Sequence, residues 1–485
     1  MHLSQLVSEP IIGADVDIDG IAIDSRQVKA NHLFCALRGE LHDGHDYIDQ
    51  AVAAGATAVA VETAERINLD NACSYVVIPQ LRRELGEIAA RFYRQPSRQL
   101  SVIGVTGTNG KTSITHYISQ LQAGLGKKAA VIGTLGTGFE GCYTSSLNTT
   151  PDALSLQQSL SELREAGVGC VAMEVSSHAL DQQRCNGIHF AGAVFSNLSR
   201  DHLDYHGSEQ AYFAAKARLF VWPGLRWAVL NRDDACFSRL ADSLLPSVKC
   251  LSYSLVDTGA DLSFVNVRRR VDAYQAELLY QGKSHVLQLA VHGEFNLANV
   301  LAAIAALLAE GEDVERVVAA CEEIRPVAGR MQSIENDCGI VALVDYAHTP
   351  DALEKVLKTL RDEAGSSQLL VVFGCGGDRD QGKRPQMAAV AERYADFSIV
   401  TADNPRLESV AAINEEIVSG FSGRKYMVEP DRKKAVELAV KRAGKGDYLL
   451  VAGKGHEKYQ QVGTRKLPFD DVAVLRHALA ERRAG

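Results

Sequence analysis

Two hydrophobic periods alternate along this chain. Short apolar runs, too continuous to follow a helical period, are each followed by a longer stretch with apolar residues three and four apart. That alternation predicts strands followed by helices, and so an α/β chain built on largely parallel sheets. Three segments separate by pattern. In residues 1–96 the runs "GIAIDS", "LFCALRG", "TAVAVE" and "SYVVIP" read as strands and "LRRELGEIAARFY" as a helix, and the polar "RQPSRQ" reads as a linker. In residues 97–328 the strands "SVIGVTG", "VGCVAMEV", "GAVFSNL" and "WAVLN" alternate with helices. Within this segment "LSFVNVRRRVDAYQAELLYQGKSHVLQLAV" reads instead as antiparallel strands, and "FNLANVLAAIAALLAEG" as an apolar helix ending at glycine. In residues 329–485 "GIVALVDYAH", "QLLVVFGCGG", "DFSIVTAD", "KYMVE" and "DYLLVAGKG" give a doubly wound, Rossmann-like pattern.

Composition narrows the class. With 485 residues, 46% hydrophobic and 23% charged, the chain has room for about three ordinary globular domains. No apolar run approaches the roughly 18 residues of a membrane span. The N-terminus reads as lacking a signal peptide. Ten cysteines stand singly, with no CxxC pair, which suits a reduced cytoplasmic thiol set better than a disulfide framework or a zinc site. A net charge of −9 with no long Lys/Arg block argues against a nucleic-acid partner. We expect a cytoplasmic monomer working on small molecules.

The strongest single motif is "GVTGTNGKTS", between a strand and a helix. Gly107, Thr108, Asn109, Gly110, Lys111, Thr112 and Ser113 form a loop whose backbone N–H groups and helix N-terminus suit phosphate. Lys111 supplies a point charge to the β/γ-phosphates and Thr112 a hydroxyl for Mg²⁺. Val105 stands where the usual eight-residue pattern has its first glycine, so the form is tighter than standard. Glu174, closing the strand "VAMEV", offers a second hard-oxygen ligand for the metal. His202 and His206 are spaced like a helical zinc pair, but "DYHG" reads as a turn and no third ligand is offered, so zinc is rejected. In the last segment four polar loops follow strand C-termini, where doubly wound sheets bind ligands: "DYAHTPD", "GCGGDRDQGKRP", "TADNPRLE" and "GKGHE".

"TGTNGKT" resembles the nucleotide loop of the Mur ligase family, the ATP-dependent amide-bond ligases of peptidoglycan precursor synthesis, and in part that of folylpolyglutamate synthases. The resemblance runs in family order along nearly the whole chain. It implies a three-domain α/β fold, with a central P-loop parallel-sheet ATPase domain and a C-terminal Rossmann-like domain. It implies His202 as a ligand of a second Mg²⁺ and a carbamate on Lys216, in "AYFAAKARLF", as its partner. It also implies ATP contacts from Asn296 and Asn299, and a phosphate contact from Arg330. Asp345 and His348 are placed at the ATP site as well. His348 either deprotonates the attacking amine or, with Asp345, organises the ATP site and domain closure.

The substrate reading also follows the resemblance. "IDSRQVKANHLFCALRGELHDGHDYI" is similar to the UDP-binding region of the third-residue-adding members, at Ile23, Ser25, Glu40, Leu41 and His42. Asn148, Thr149 and Thr150 on "LNTTPDA" offer an amide and hydroxyls to a muramoyl-peptide. Ser176, Gln182 and Arg184 match contacts to the same precursor, UDP-N-acetylmuramoyl-L-Ala-D-Glu. Arg379, Asp403, Asn404, Pro405, Arg406, Gly453 and Glu457 together resemble the site for meso-diaminopimelate. Arg406 and Arg379 would hold its far carboxylate, and Glu457 with the Gly453 carbonyl its far ammonium. Pro405 would stiffen the loop. Asp403 is either a ligand or a loop-ordering carboxylate. Lysine, which lacks the far carboxylate, would leave the arginines unpaired. Three alternatives stand beside this reading: a folylpolyglutamate synthase, a lysine-adding ligase, and a P-loop ATPase acting as a switch or binding module.

Overall fold

Three sheets take up most of the apolar runs. The computed structural model describes all residues except 40–41, 67–72, 140–141, 145–147, 200, 271–272 and 485. The chain divides into two compact units. One comprises Met1–Asn266, Glu277–Leu287 and Asn299–Glu323; the other comprises Val267–Ala276, Gln288–Ala298 and Ile324–Gly485.

In the first unit a five-stranded sheet has the order Ile11–Ile12, Ser74–Val77, Ala56–Val61, His32–Ala36, Gly20–Ala22. Its last four strands are parallel and the first is antiparallel. The expected linker "RQPSRQ" contains a short 3₁₀ turn, Pro96–Arg98. The same unit holds the central sheet, in which Ser101–Thr106 lies between Phe190–Phe195 and Cys170–Glu174. Trp227–Asn231 and Lys249–Ser254 continue it beyond Phe190–Phe195, and Ala129–Gly133 flanks Cys170–Glu174, all in parallel. Parallel strands covered on both faces need apolar residues at every position, which is why "SVIGVT" and "CVAME" show no alternation. The stretch expected to give antiparallel strands forms Leu262–Arg269, Tyr274–Tyr280 and Lys283–Leu289. The first of these enters the sheet in parallel, with Tyr253 opposite Leu262. Asp261 secures that entry by accepting from both Ser252 N and Oγ, each at 2.7 Å.

The second unit contains a six-stranded sheet ordered Gln332–Ile334, Val341–Asp345, Tyr448–Ala452, Leu369–Phe373, Phe397–Val400, Tyr426–Val428. All but the first strand run parallel. The returning strand Tyr448–Ala452 inserts between the first two parallel strands made, so helices cover both faces and the apolar residues split into two layers. All four polar loops singled out in the sequence leave C-terminal ends of these strands. Glu363, on the helix Pro350–Ala364, explains why Val267–Ala276 and Gln288–Ala298 belong to this unit. Its carboxylate accepts from Tyr274 OH at 2.8 Å and Gly293 N at 2.9 Å, and His292 and Arg269 lie 3.6 Å from its other oxygen.

Within the first unit the helix Leu81–Phe92 buries Leu81, Leu85, Ile88 and Ala89 on one face. It also lies directly against the turn at Asn186 and Gly187. A Cβ at Gly86 would stand 1.9 Å from the Asn186 carbonyl oxygen, and one at Gly187 would stand 2.3 Å from the Gly86 oxygen. Asn186 Nδ2 closes the contact by donating to Arg83 O at 3.0 Å. Alanine is the better helix former, but here backbone meets backbone and neither can yield cheaply. Gly86→Ala is therefore expected to lower stability by about 1–3 kcal/mol, read as a fall in the urea midpoint.

Candidate active site

The phosphate loop is shaped by two glycines. Gly107 has φ +148°, and a Cβ there would meet Ser196 Oγ at 1.9 Å. Gly110 has φ +88° and immediately precedes the helix Lys111–Gly124; a Cβ there would meet Asn299 Oδ1 at 2.4 Å. Asn299 thus lies against the loop, as expected, while Asn296 Nδ2 donates to His292 O at 2.9 Å in the second unit. The loop is braced from the neighbouring strand end: Thr108 N donates to Asn197 O at 2.8 Å, and Asn109 N to Asn197 Oδ1 at 3.0 Å. Lys111 Nζ folds back onto its own loop, donating to Gly107 O and Thr108 O, each at 2.9 Å.

Glu174 is buried and ties three segments together. Thr112 Oγ1 donates to its Oε2 at 3.1 Å, Thr134 N to its Oε1 at 2.8 Å, and Thr134 Oγ1 to its Oε2 at 3.2 Å. A Cβ at Gly133 would strike Oε1 at 2.2 Å, so that glycine admits the carboxylate. The Glu174 carbonyl accepts from Thr150 Oγ1 at 2.8 Å, and Thr150 Oγ1 in turn accepts from Ser176 N at 3.1 Å. Arg184 joins the same group. It donates to Thr150 O at 3.0 Å and to Gln182 Oε1 at 2.9 Å. Thr149 Oγ1 lies 3.1 Å from Thr134 Oγ1, and Asn148 is exposed beside them. The structure therefore links Thr149, Thr150, Ser176, Gln182 and Arg184 to Glu174 in one hydrogen-bonded chain, with Thr150 in direct contact.

Lys216 is only 2% exposed, and its Nζ donates to Gly107 O at 2.7 Å. Burial, reinforced by the Lys111 cation, holds its pKa well below the usual lysine range, against the pull of Asp201. Its nitrogen lies 4.6 Å from the centre of the Tyr212 ring, and the His202 ring meets the same ring edge-on at 6.1 Å. His206 Nε2 pairs with Ser177 Oγ at 3.0 Å, a structural contact. Among the described residues no three His, Cys, Asp or Glu side chains are grouped to hold a metal. The hydroxyl of Thr112 beside the Glu174 carboxylate does provide hard oxygens of the kind Mg²⁺ takes while keeping several waters.

On the N-terminal sheet Ile23 is half-buried, Ser25 Oγ donates to Gln50 Oε1 at 3.0 Å, and His42 is exposed. Glu40 and Leu41 lie outside the described residues.

In the second unit Asp345 is buried. Its oxygens accept from Met331 N and Ala347 N, each at 2.7 Å. Burial pushes its carboxyl up, against the neighbouring Arg330 and these two N–H groups. The Arg330 guanidinium lies 5.0 Å from the centre of the Tyr346 ring. His348 Nδ1 donates to Tyr346 O at 2.8 Å, and burial pushes its pKa down, which favours the neutral ring. Burial also takes His456 down to about 4, with the Arg330 and Lys454 cations adding to the effect.

The loop "TADNPRLE" is no solvated turn. Asp403, Asn404 and Pro405 are buried and Arg406 is half-buried with φ +50°. Arg406 Nη1 donates to Gly377 O at 2.6 Å, and Gly377 N donates to Asn404 O at 2.9 Å. A Cβ at Gly377 would stand 2.0 Å from Pro405 O, so the glycines of "GCGGDRD" make room for this loop. Arg379 is exposed on that neighbouring loop. Gly453, at φ +115°, donates from its N to Asp345 O at 3.0 Å. Glu457 Oε2 accepts from Asn404 Nδ2 at 2.9 Å and from Lys454 Nζ at 3.0 Å. Gln461 N donates to Asn404 Oδ1 at 2.8 Å. Sequence reasoning missed Lys454, Thr134, Asn197 and Gln461. Lys454 lies inside the quoted "GKGHE", but a lysine among glycines carries no mark of complete burial.

The sequence patterns of three Mur ligase domains match the chain: "Mur ligase family, catalytic domain" over residues 17–93, "Mur ligase middle domain" over 105–307, and "Mur ligase, glutamate ligase domain" over 329–455. The UDP-N-acetylmuramoyl-L-alanyl-D-glutamate--2,6-diaminopimelate ligase of Pseudomonas aeruginosa is 45% identical, over 99% of this chain and 98% of its own. The protein of the same name from Chromobacterium violaceum is 44% identical, over 95% and 94%. A solved structure of a ligase of that name superposes with a TM-score of 0.75 at 37% identity, covering 100% of this chain and 99% of that one. The chain belongs to the Mur ligase family.

Arg432 sets the ends of two site-bearing strands. It is fully buried, donates to Ala402 O at 3.3 Å and Ala452 O at 2.9 Å, and pairs with Asp471 at 2.7 and 2.8 Å. Asp471→Ala leaves this guanidinium buried without its anion, and a loss of about 3–5 kcal/mol is expected in equilibrium denaturation.

Proposed function

We propose that this chain is an ATP-dependent amide-bond ligase that adds meso-diaminopimelate to the D-Glu γ-carboxylate of UDP-N-acetylmuramoyl-L-Ala-D-Glu, in peptidoglycan precursor synthesis. The observation that carries the reading is the second unit's loop cluster, in which Arg406, Asn404 and Glu457 are built into one hydrogen-bonded group. Such a group suits a side-chain end that bears both a carboxylate and an ammonium. The first unit supplies the other half of the chemistry, a phosphate loop with a buried carboxylate at its helix.

A carboxylate is a poor electrophile. The ATP γ-phosphoryl group passes to the D-Glu γ-carboxylate, giving an acyl phosphate and ADP. The amine of diaminopimelate then attacks the acyl carbon, loses a proton, and phosphate leaves. Lys111 offsets charge on the transferred phosphoryl group, and the loop N–H groups hold the phosphates in place. Thr112 and Glu174 would hold one Mg²⁺, and His202 with carbamylated Lys216 a second, adding charge neutralisation at the same phosphates. Burial of Lys216 supports this assignment, since a neutral amine adds CO₂ and loses a proton to become the carbamate. Asn299, Asn296, Arg330, Asp345 and His348 are assigned to the nucleotide. Ile23, Ser25, His42, Asn148, Thr149, Thr150, Ser176, Gln182 and Arg184 are assigned to the precursor. Arg379 and Arg406 are assigned to the far carboxylate, and Glu457 to the far ammonium. No helix among the described residues is long and apolar enough to cross a membrane, and a cytoplasmic monomer is part of the proposal.

Phosphate release in the presence of the UDP-precursor and ATP is expected to require diaminopimelate, with lysine poorer by about 10⁴-fold in kcat/KM. Arg406→Ala should raise the KM for diaminopimelate while leaving ATP binding intact. Equal use of lysine and diaminopimelate by the unaltered enzyme refutes the assignment, and release without any amino acid favours the switch ATPase. For the modification, protein equilibrated with ¹³C-bicarbonate should give a carbamate carbonyl signal that disappears in Lys216→Ala. A spectrum without that signal removes the carbamate.

A further inference from the structure

Lys454 is 0% exposed, and its ammonium has three side-chain partners: Asn404 Oδ1 at 3.0 Å, Glu457 Oε2 at 3.0 Å and Asp403 Oδ1 at 3.4 Å. A buried ammonium persists only where partners repay its lost hydration. The arrangement does more than repay it. Asn404 Oδ1 also accepts from Gln461 N at 2.8 Å. Two donors on one oxygen decide which way the amide faces, because a flipped amide would set its N–H groups against them. Asn404 Nδ2 must then point to Glu457, and it donates to Oε2 at 2.9 Å. Lys454 and Asn404 thus both engage Oε2, and no hydrogen bond among the described residues occupies Oε1. The charges point the same way. One lysine faces two carboxylates, those of Asp403 and Glu457, so the cluster carries one negative charge beyond what Lys454 balances. The nearby Arg432 is already matched by Asp471.

We propose that Lys454 is a positioning residue for the amino-acid substrate: it fixes the Asn404 amide and the Glu457 carboxylate so that Glu457 Oε1 accepts the ammonium at the substrate's non-reacting end. This rests on the proposed function and adds to it the residue that builds the ammonium site. Lys454 itself touches no substrate. Its effect falls on binding of diaminopimelate and not on the phosphoryl transfer that precedes amide formation.

The test compares the unaltered enzyme, Lys454→Met, and the double variant Lys454→Met/Asp403→Asn, which removes one of the carboxylates stranded by loss of the lysine. KM for diaminopimelate should rise about 10- to 100-fold in both variants, the loss of one charge-assisted hydrogen-bond set. KM for ATP and for the UDP-precursor should stay within about two-fold. The double variant should regain denaturant stability relative to Lys454→Met without regaining the diaminopimelate KM. An unchanged diaminopimelate KM in a folded, active variant overturns this role alone. Parallel rises in all three KM values, or recovery of diaminopimelate KM together with stability, mark a purely structural lysine and overturn it too. Absence of diaminopimelate-dependent phosphate release by the unaltered enzyme overturns the proposed function and this role with it.

Discussion

The nucleotide half of this molecule depends on one buried carboxylate. Glu174 ends a central parallel strand, and its side chain is held by Thr112 from the helix after the phosphate loop and by Thr134 from the end of the next strand. An ionised carboxylate in such a place costs several kcal/mol unless each oxygen is satisfied. The demand for partners therefore organises what surrounds it. Gly133 must lack a Cβ, Thr134 must present both its N–H and its hydroxyl, and Thr150 binds the carbonyl of the same residue. Arg184 then takes the Thr150 carbonyl, so residues far apart in sequence share one anchored edge.

The second unit solves the same problem differently. There three fully buried cations do the organising, each with carboxylate partners. Arg432 is paired by Asp471, Arg384 by Glu408 and Glu416, and Lys454 by Asp403 and Glu457. Each cation also draws a loop into position through carbonyl oxygens or an amide. Arg384 reaches Gly376 O and Arg432 reaches Ala402 O, which holds two of the four strand-end loops from beneath. These strand-end loops are thereby tied to fully buried side chains, and loops held that way lose little freedom when a ligand binds.

Much of this was legible in the chain. Continuous apolar runs separated by helical periods indicated parallel sheets covered on both faces, because only full burial removes the polar alternate positions. Gly107 and Gly110 marked a loop whose backbone N–H groups suit phosphate, and both take positive φ in the structure. The loop "TADNPRLE" stood out because it follows a strand C-terminus, where doubly wound sheets bind ligands.

The sequence by itself determined the order of elements, the glycine-rich strand–loop–helix turn, and which loops leave the C-terminal edge of the last sheet, since these follow from local period, backbone freedom and strand direction. Only the tertiary structure decided which polar residues share a site and which are buried. The parallel entry of Leu262–Arg269 depends on Asp261 reaching back to Ser252. The capture of Tyr274 and Gly293 by Glu363 joins residues separated by whole helices. Lys454 is the sharpest case. In sequence it is a charged residue in a glycine-rich loop, indistinguishable from a solvated one. Its complete burial comes from chain segments that fold over it, and its partners Asp403 and Asn404 come from a different strand end. Desolvation is a property of the assembled surroundings, and no local pattern encodes it.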